Sequence, residues 1–184
     1  LLREAGAVFV PGNLAYDLVK PYRPDAVILN FPMTNDEAYI RRCMEENADR
    51  IAPHARSGLT VFGIIGDPNF YSTFSRLCEV IAERHPDITF STEPGISSIT
   101  AFASVANVPV AGGLLVSDGT GPESRIFMKV RRPAALAASL SEEGYSEFVL
   151  VERMFMPEQR VYRGDELPEK SDYFSILFAR RPHA

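Results

Sequence analysis

The amino-acid sequence predicts an α/β protein in two parts, a parallel sheet covered by helices and then a mixed sheet. Three observations lead there. Through the first half, short apolar runs alternate with helix-period segments, the rhythm that builds parallel sheets. Those runs are continuously apolar, as strands buried on both faces must be. In the second half, several strand-like segments alternate in polarity with one clear helix among them, which points to mixed pairing. The boundary is placed near residues 92–95, giving an amino-terminal α/β domain over 1–93 and a carboxy-terminal one over 94–184.

Each element follows from its residues. "AVFVP" (7–11) reads as a short buried strand closed by Pro-Gly. "NLAYDLVKPY" forms a helix ending before Pro21, because a proline pushes the preceding residue out of the α region. "DAVILN" (25–30) is a second strand. Thr34 with Glu37 three residues on matches a capping box. Ile40, Met44, Ala48, Ile51 and Ala55 then recur at helical spacing, with Pro53 near the end and Gly58 releasing the chain. "LTVFGII" is the most apolar strand. After it, Phe74, Leu77, Cys78 and Ile81 mark one helix face reaching about Arg84, and "ITFST" (88–92) reads as a further strand. "EPGISSITAFASVANVPVAGG" is a Pro-Gly turn, a helix and a second Pro/Gly-rich exit. "RIFMKV", "EFVLVER", "QRVYR" and "DYFSILFARR" read as strands, with a helix over 133–141.

Composition narrows the function classes. A hydrophobic content of 46% with 23% charged residues is globular, and 184 residues suit one large domain or two small ones. No apolar run is long enough to span a membrane, and "LLREAGAVFVPG" does not read as a signal peptide. Two cysteines, Cys43 and Cys78, lack metal spacing and read as reduced thiols of a cytoplasmic protein. A net charge of −5 argues against nucleic acid as a partner. Positive charge is nevertheless clustered at Arg41/Arg42, Lys129/Arg131/Arg132 and Arg180/Arg181, where solvated surface is the plain reading.

The stretch "GIIGDPNFYSTF" (63–74) carries the first chemical signal. In a parallel sheet, loops leaving the carboxyl ends of strands form the ligand crevice. Gly66 lets backbone approach a ligand, Asp67 offers a carboxylate, and Pro68 stiffens the turn. Tyr71, Ser72 and Thr73 add hydroxyls beside the next helix. The plain alternative is that Asp67, Ser72 and Thr73 only cap that helix. Dinucleotide and nucleoside-triphosphate loops are not present. His54, His85 and His183 share no ligand spacing, so no metal site is expected. Ser97 lacks a nucleophile elbow, and Cys78 sits on an apolar helix face as a core residue.

"GDPNFYSTF", followed about twenty residues later by "EPGISSITAFASVANVPVA", resembles the tetrapyrrole methylases of cobalamin biosynthesis. The "GDPxxYSTF" form is most similar to the precorrin-2 or cobalt-factor II C-20-methyltransferases. "FPMTND" (31–36), "FMKVRR" (127–132) and "VERMFMPEQRV" (151–161) stand in that subgroup's order, so the likeness covers nearly the whole chain. The resemblance implies two α/β domains of a class III methyltransferase, with S-adenosylmethionine (SAM) in a cleft between them, and a homodimer. It places Gly66, Asp67 and Phe70 at the cofactor, with Ser97 and Ser98 from "PGISS", Met128 from "FMKV" and Val151 from "VERM". Tyr71, Ser72 and Thr73 fall at the cleft mouth, on the substrate side. The family opens with a strand and a Gly-rich loop that precede "LLREAGAVFVP", so the first strand is expected to be missing from this chain. The stretch between "VPVAGG" and "RIFMKV" also reads as abbreviated.

The reaction implied is in-line transfer of methyl from a sulfonium to the electron-rich C-20 carbon of a polycarboxylate tetrapyrrole. It needs no metal and no covalent enzyme intermediate. Correct placement alone supplies effective molarities of about 10⁵–10⁸ M. No residue declares itself as the base that removes the C-20 proton. Arg76, Lys129, Arg131, Arg132 and Arg153 neighbour the motifs and are the candidate partners of substrate carboxylates. Three rivals remain: another tetrapyrrole carbon, a diphthine-type acceptor, or a non-catalytic tetrapyrrole-binding fragment.

Overall fold

The structure is a computed structural model that describes residues 1–117 and 119–182; His183, considered above as a ligand, lies outside them. The chain divides into two compact units, Leu1–Gly113 and Leu114–Ala184.

The first unit is built on a three-stranded parallel sheet in the order β2-β1-β3. Its strands are β1 (Ala7–Val10), β2 (Val27–Ile28) and β3 (Thr60–Phe62). The central strand is buried on both faces, with Val8, Phe9 and Val10 at most 2% exposed. Phe9 joins Leu29, Met44, Ala48, Ile51, Leu77, Val80 and Ile81 in the larger core. Val8 and Val10 join Ala15 and Val19 on the other side, under helix α1 (Asn13–Val19). Burying side chains of this size stabilises by about 1.5–3 kcal/mol each.

Helices α2 (Glu37–Ser57) and α3 (Phe74–Arg84) pack together over the larger core. Ion pairs of Arg41 with Glu83 and of Arg84 with Asp49 border the contact. The capping box at Thr34 is not formed. Asp36 is the cap, its Oδ1 accepting from the Tyr39 amide at 2.9 Å, and Glu37 therefore stands in the first turn rather than at the third position. Helix α2 runs four residues past Pro53.

Two strand expectations need correction. Of "LTVFGII", only Thr60–Phe62 pairs; Gly63 ends the strand, and Ile65 is half exposed. The "ITFST" stretch (88–92) forms no strand. Ile88 packs on the helical core instead, and Thr92 is held by a side chain of the GDP loop. A helix, α4 (Ser98–Val105), follows.

The second unit is a four-stranded sheet in the order β4-β7-β5-β6. The strands are β4 (Ser124–Met128), β5 (Glu147–Glu152), β6 (Arg160–Arg163) and β7 (Ser175–Arg180). Every pairing is antiparallel, where a mixed sheet was expected. Helix α5 (Pro133–Glu142) carries β4 over to β5, and β7 then inserts between those two, antiparallel to both. The inner face is filled by Leu150, Leu177, Ala179, Phe148 and Tyr145 against Ala137 and Leu140 of α5. On the outer face, Met128, Ile176, Val151 and Val161 form one continuous row across the four strands.

Candidate functional site

In the first unit, the geometry centres on the loop after β3. Gly66 has φ +90°, a conformation strained for any side chain, and the space a Cβ would enter there is open. The loop therefore presents bare backbone. Asp67 uses both carboxylate oxygens on backbone amides: Oδ1 accepts from Asn69 at 2.9 Å and Oδ2 from Gly95 at 3.0 Å. The Asn69 side-chain Nδ2 donates to Thr92 Oγ1 at 3.0 Å. A Cβ on Gly95 would lie 2.0 Å from the Gly66 carbonyl oxygen, so only glycine lets these two strands of chain touch. Together these contacts clasp the GDP loop to the EPGISS turn.

The clasp revises the readings of individual residues. Asp67 does not cap α3. Ser72 approaches that role, its Oγ accepting from the Phe74 amide at 3.2 Å, while Thr73 holds the cap position without a side-chain bond. Ser97 does cap α4, accepting from the Ile99 amide at 3.3 Å, with Ser98 opening the helix. Phe70 and Tyr71 are exposed by 48% and 67%, and Tyr71 holds the left-handed φ of +51°. Arg76 pairs with Glu37 at 3.2 Å. Thus the structure brings Gly66, Asp67, Phe70, Tyr71 and Ser72 into one loop and joins it to the turn before Ser97.

The remaining expected residues lie in the second unit. Met128 ends β4 and is 74% exposed, and Val151 lies beside Ile176 in the same outer row. Lys129 and Arg153, the residues following β4 and β5 by one place, both adopt left-handed φ, +58° and +50°. Their amides are pinned to the entry of β7, Lys129 to the Ser175 carbonyl at 2.7 Å and Arg153 to the Phe174 carbonyl at 2.8 Å. Non-glycine residues hold this region only where their surroundings enforce it. Arg153 bonds Asp172 at 3.1 Å and Glu158 at 3.2 Å, and those bonds, Asp172 first, raise its pKa further. The Phe174 backbone amide, and then Arg153, hold the Asp172 carboxyl below its ordinary value.

Beside this end of the sheet is a pocket of about 500 Å³ walled by Phe127, Met128, Val130, Ala135 and Leu136, with Arg131 and Arg132 at its rim. A second pocket, of about 590 Å³, is lined by charged groups that include Arg153, Arg160, Lys170, Glu158 and Asp172. Among the described residues, no group of three His, Cys, Asp or Glu side chains gathers as a metal site, and no helix is long and apolar enough to cross a membrane. Sequence reasoning missed Asn69, Thr92 and Gly95. The only signal was the polar residue and the glycine within the two motifs and, for Thr92, its place at the end of the "ITFST" run; their pairing is a long-range contact.

Comparison with known proteins places the chain. The model of the tetrapyrrole (corrin/porphyrin) methylase family matches residues 1–167, and the chain belongs to that family. It is accordingly a SAM-dependent methyltransferase. A probable cobalt-precorrin-2 C(20)-methyltransferase of Methanocaldococcus jannaschii is 26% identical, the match covering 98% of this chain and 87% of that protein. Among solved structures, a cobalt precorrin-4 methyltransferase is 15% identical with a TM-score of 0.47, over 97% of this chain and 85% of that one. A uroporphyrin-III C-methyltransferase of Thermus thermophilus, complexed with S-adenosylhomocysteine, is 18% identical with a TM-score of 0.39, over 98% and 87%.

Proposed function

We propose that this methyltransferase acts on C-20 of precorrin-2 or cobalt-factor II in cobalamin biosynthesis. The observation that carries the reading is the clasped GDP loop, which displays bare backbone at Gly66 inside the "GDPNFYSTF" motif. The choice of C-20 is supported by the Methanocaldococcus jannaschii relative, matched over nearly the whole chain.

The residues present fit SAM. An open, glycine-lined backbone surface with a half-exposed Phe70 beside it suits a flat adenosyl group that hydrogen-bonds to main chain. When bound, SAM supplies an electrophilic methyl group. The chain's own work is placement. Gly66 and Phe70 form the wall; Asp67 holds that wall in register through the Gly95 amide and does not itself face the ligand. Ser97 and Ser98 at the start of α4 complete the proposed cofactor contacts of this unit. No side chain is assigned as the base at C-20.

The proposed substrate contacts divide by what they already bond. Tyr71 is exposed, Ser72 is engaged by the Phe74 amide, and Thr73 opens α3. Arg76 and Arg153 are paired with carboxylates of the chain. Lys129, Arg131 and Arg132 form no ion pair among the described residues, which favours them for substrate acids. A homodimer belongs to the same reading and is checked by light scattering.

The test is methyl transfer from SAM with precorrin-2, cobalt-factor II and a diphthine-type acceptor in parallel, read by product mass. Methylation of either corrinoid precursor alone is the expected outcome. Methylation of the diphthine-type acceptor alone, or of none, overturns the reading.

A further inference from the structure

The motif "FPMTND" (31–36) follows the carboxyl end of β2, on the same edge of the parallel sheet as the GDP loop that leaves β3. Its first ring, Phe31, lies 5.5 Å from the Phe62 ring, centroid to centroid, with the planes inclined at 47°. Phe62 in turn stacks on Phe74 at 5.4 Å and 17°. Both separations are those of attractive aromatic pairs. All three rings rest on the larger core of the first unit and stay partly exposed.

Phe62 is the last residue of β3 and Phe74 the first of α3, so their stack closes the neck of the loop that carries Gly66, Asp67 and Phe70. Asp67 and Asn69 tie the flank of that loop to Gly95 and Thr92. The loop is thus fixed at neck and flank. Holding its ends together removes, before any ligand arrives, freedom that binding would otherwise have to remove.

Phe31 belongs to a different segment and leans on the neck from outside. A buried amide sets its position: Asn47 of α2, only 2% exposed, donates Nδ2 to the carbonyl of Asn30 at 2.7 Å, one residue before Phe31. Burying an amide costs stability unless it is bonded, and this bond both satisfies Asn47 and directs the chain leaving β2. An ionic tie joins the same two regions, Glu37 to Arg76 at 3.2 Å, but both side chains are more than half exposed and solvent weakens the pair. The aromatic contact is the stronger link between them.

We propose that Phe31 is a positioning residue for cofactor binding: it props the Phe62–Phe74 stack and thereby holds the GDP loop in its binding form. The inference rests on the reading of the GDP loop as the cofactor wall and deepens it. A looser neck lowers the fraction of molecules in the binding form, and apparent affinity falls by the same factor.

The test uses the whole chain, with calorimetric titration of S-adenosylhomocysteine, thermal melts and hydrogen exchange resolved to short segments. Phe31→Leu keeps an apolar side chain but loses the ring. It is expected to weaken binding roughly fivefold, as loss of one aromatic pair does, and to quicken exchange within residues 63–73 while leaving α2 unchanged. Phe31→Tyr keeps the ring and is expected to restore wild-type affinity. Ile51→Val trims the same core without removing a ring, and is expected to lower the melting temperature with affinity unchanged. In a Phe74→Leu chain, whose stack is already lost, adding Phe31→Leu is expected to weaken binding no further. Unchanged affinity in Phe31→Leu overturns the proposal, as does a Phe31→Tyr variant equally weak or full additivity with Phe74→Leu. So does an Ile51→Val variant that loses as much affinity, which would mark general destabilisation as the cause. Each of those results leaves the cofactor-wall reading standing; a folded wild-type chain that binds no S-adenosylhomocysteine refutes both.

Discussion

The motif residues of the first unit are bonded to one another, whereas in the second unit Arg153 is ion-paired but Lys129 and Arg131 form no ion pair among the described residues. Asp67 gives both oxygens to backbone amides, Asn69 reaches Thr92, and Ser97 caps its own helix. Lys129 and Arg131 share the ring of Tyr173. The difference separates a surface of fixed backbone from a surface of free charge. A preorganised backbone wall loses little entropy when a neutral or zwitterionic group docks against it. Unpaired cations favour an anion and discriminate by charge. The expected effects below would break or sharpen that contrast.

The largest effect is expected at Gly95. In Gly95→Ala, the new Cβ meets the Gly66 carbonyl oxygen at 2.0 Å, so loop and turn must part. S-adenosylhomocysteine affinity, measured by calorimetry, is expected to fall roughly a hundredfold, toward the upper end of the 1–3 kcal/mol that overpacking costs. Next is Asp67→Ala, which strips the acceptor from two amides and is expected to weaken the same binding about tenfold. Asp67→Asn, which keeps one acceptor oxygen, should fall between. Equal affinity of wild type and Asp67→Ala would show that the clasp does not shape the cofactor wall.

Arg76 probes the contrast from the other side. It lies two residues beyond the motif that contains Asp67 but is already paired with Glu37, and both side chains are more than half exposed. Arg76→Ala is expected to change stability by less than about 1 kcal/mol in a thermal melt, as loss of an exposed ion pair does. A clearly larger loss would mean that the pair with Glu37 also holds the loop before α3 in place.

The smallest effect belongs to the core. Burial, and secondarily the charge of Glu79, pushes the Cys78 thiol up to about 12. The unfolded chain then releases the thiol proton at lower pH than the folded chain. Stability contributed by the protonated thiol is therefore complete below the ordinary thiol value and is lost as pH rises toward about 12. Denaturant titrations from pH 8 upward should show a steeper decline for wild type than for Cys78→Ala, and coincident declines would contradict the assignment.

How much of this was legible depended on distance along the chain. The strands at Ala7–Val10 and Thr60–Phe62 and helices α2 and α3 were readable because their apolar spacing is local. The motifs "GDPNFYSTF" and "FMKVRR" were readable as residues of interest for the same reason. What escaped was non-local. Gly95 matters because it touches Gly66, and Lys129 takes its left-handed backbone where β7, inserted between β4 and β5, brings the Ser175 carbonyl to its amide. The alternation of the last strands does not fix their order or direction, so the antiparallel sheet was read as mixed. The "ITFST" run has strand composition, yet its anchors are the helical core and the Asn69 side chain, neither of which a local pattern encodes.

The most direct measurement is the position of the transferred carbon. The chain is incubated with SAM labelled with carbon-13 in its methyl group and with precorrin-2 or cobalt-factor II, and the product is read by nuclear magnetic resonance. A single labelled methyl on C-20 is the predicted result. A label on any other ring carbon, or no transfer by a chain that binds S-adenosylhomocysteine, would contradict the account.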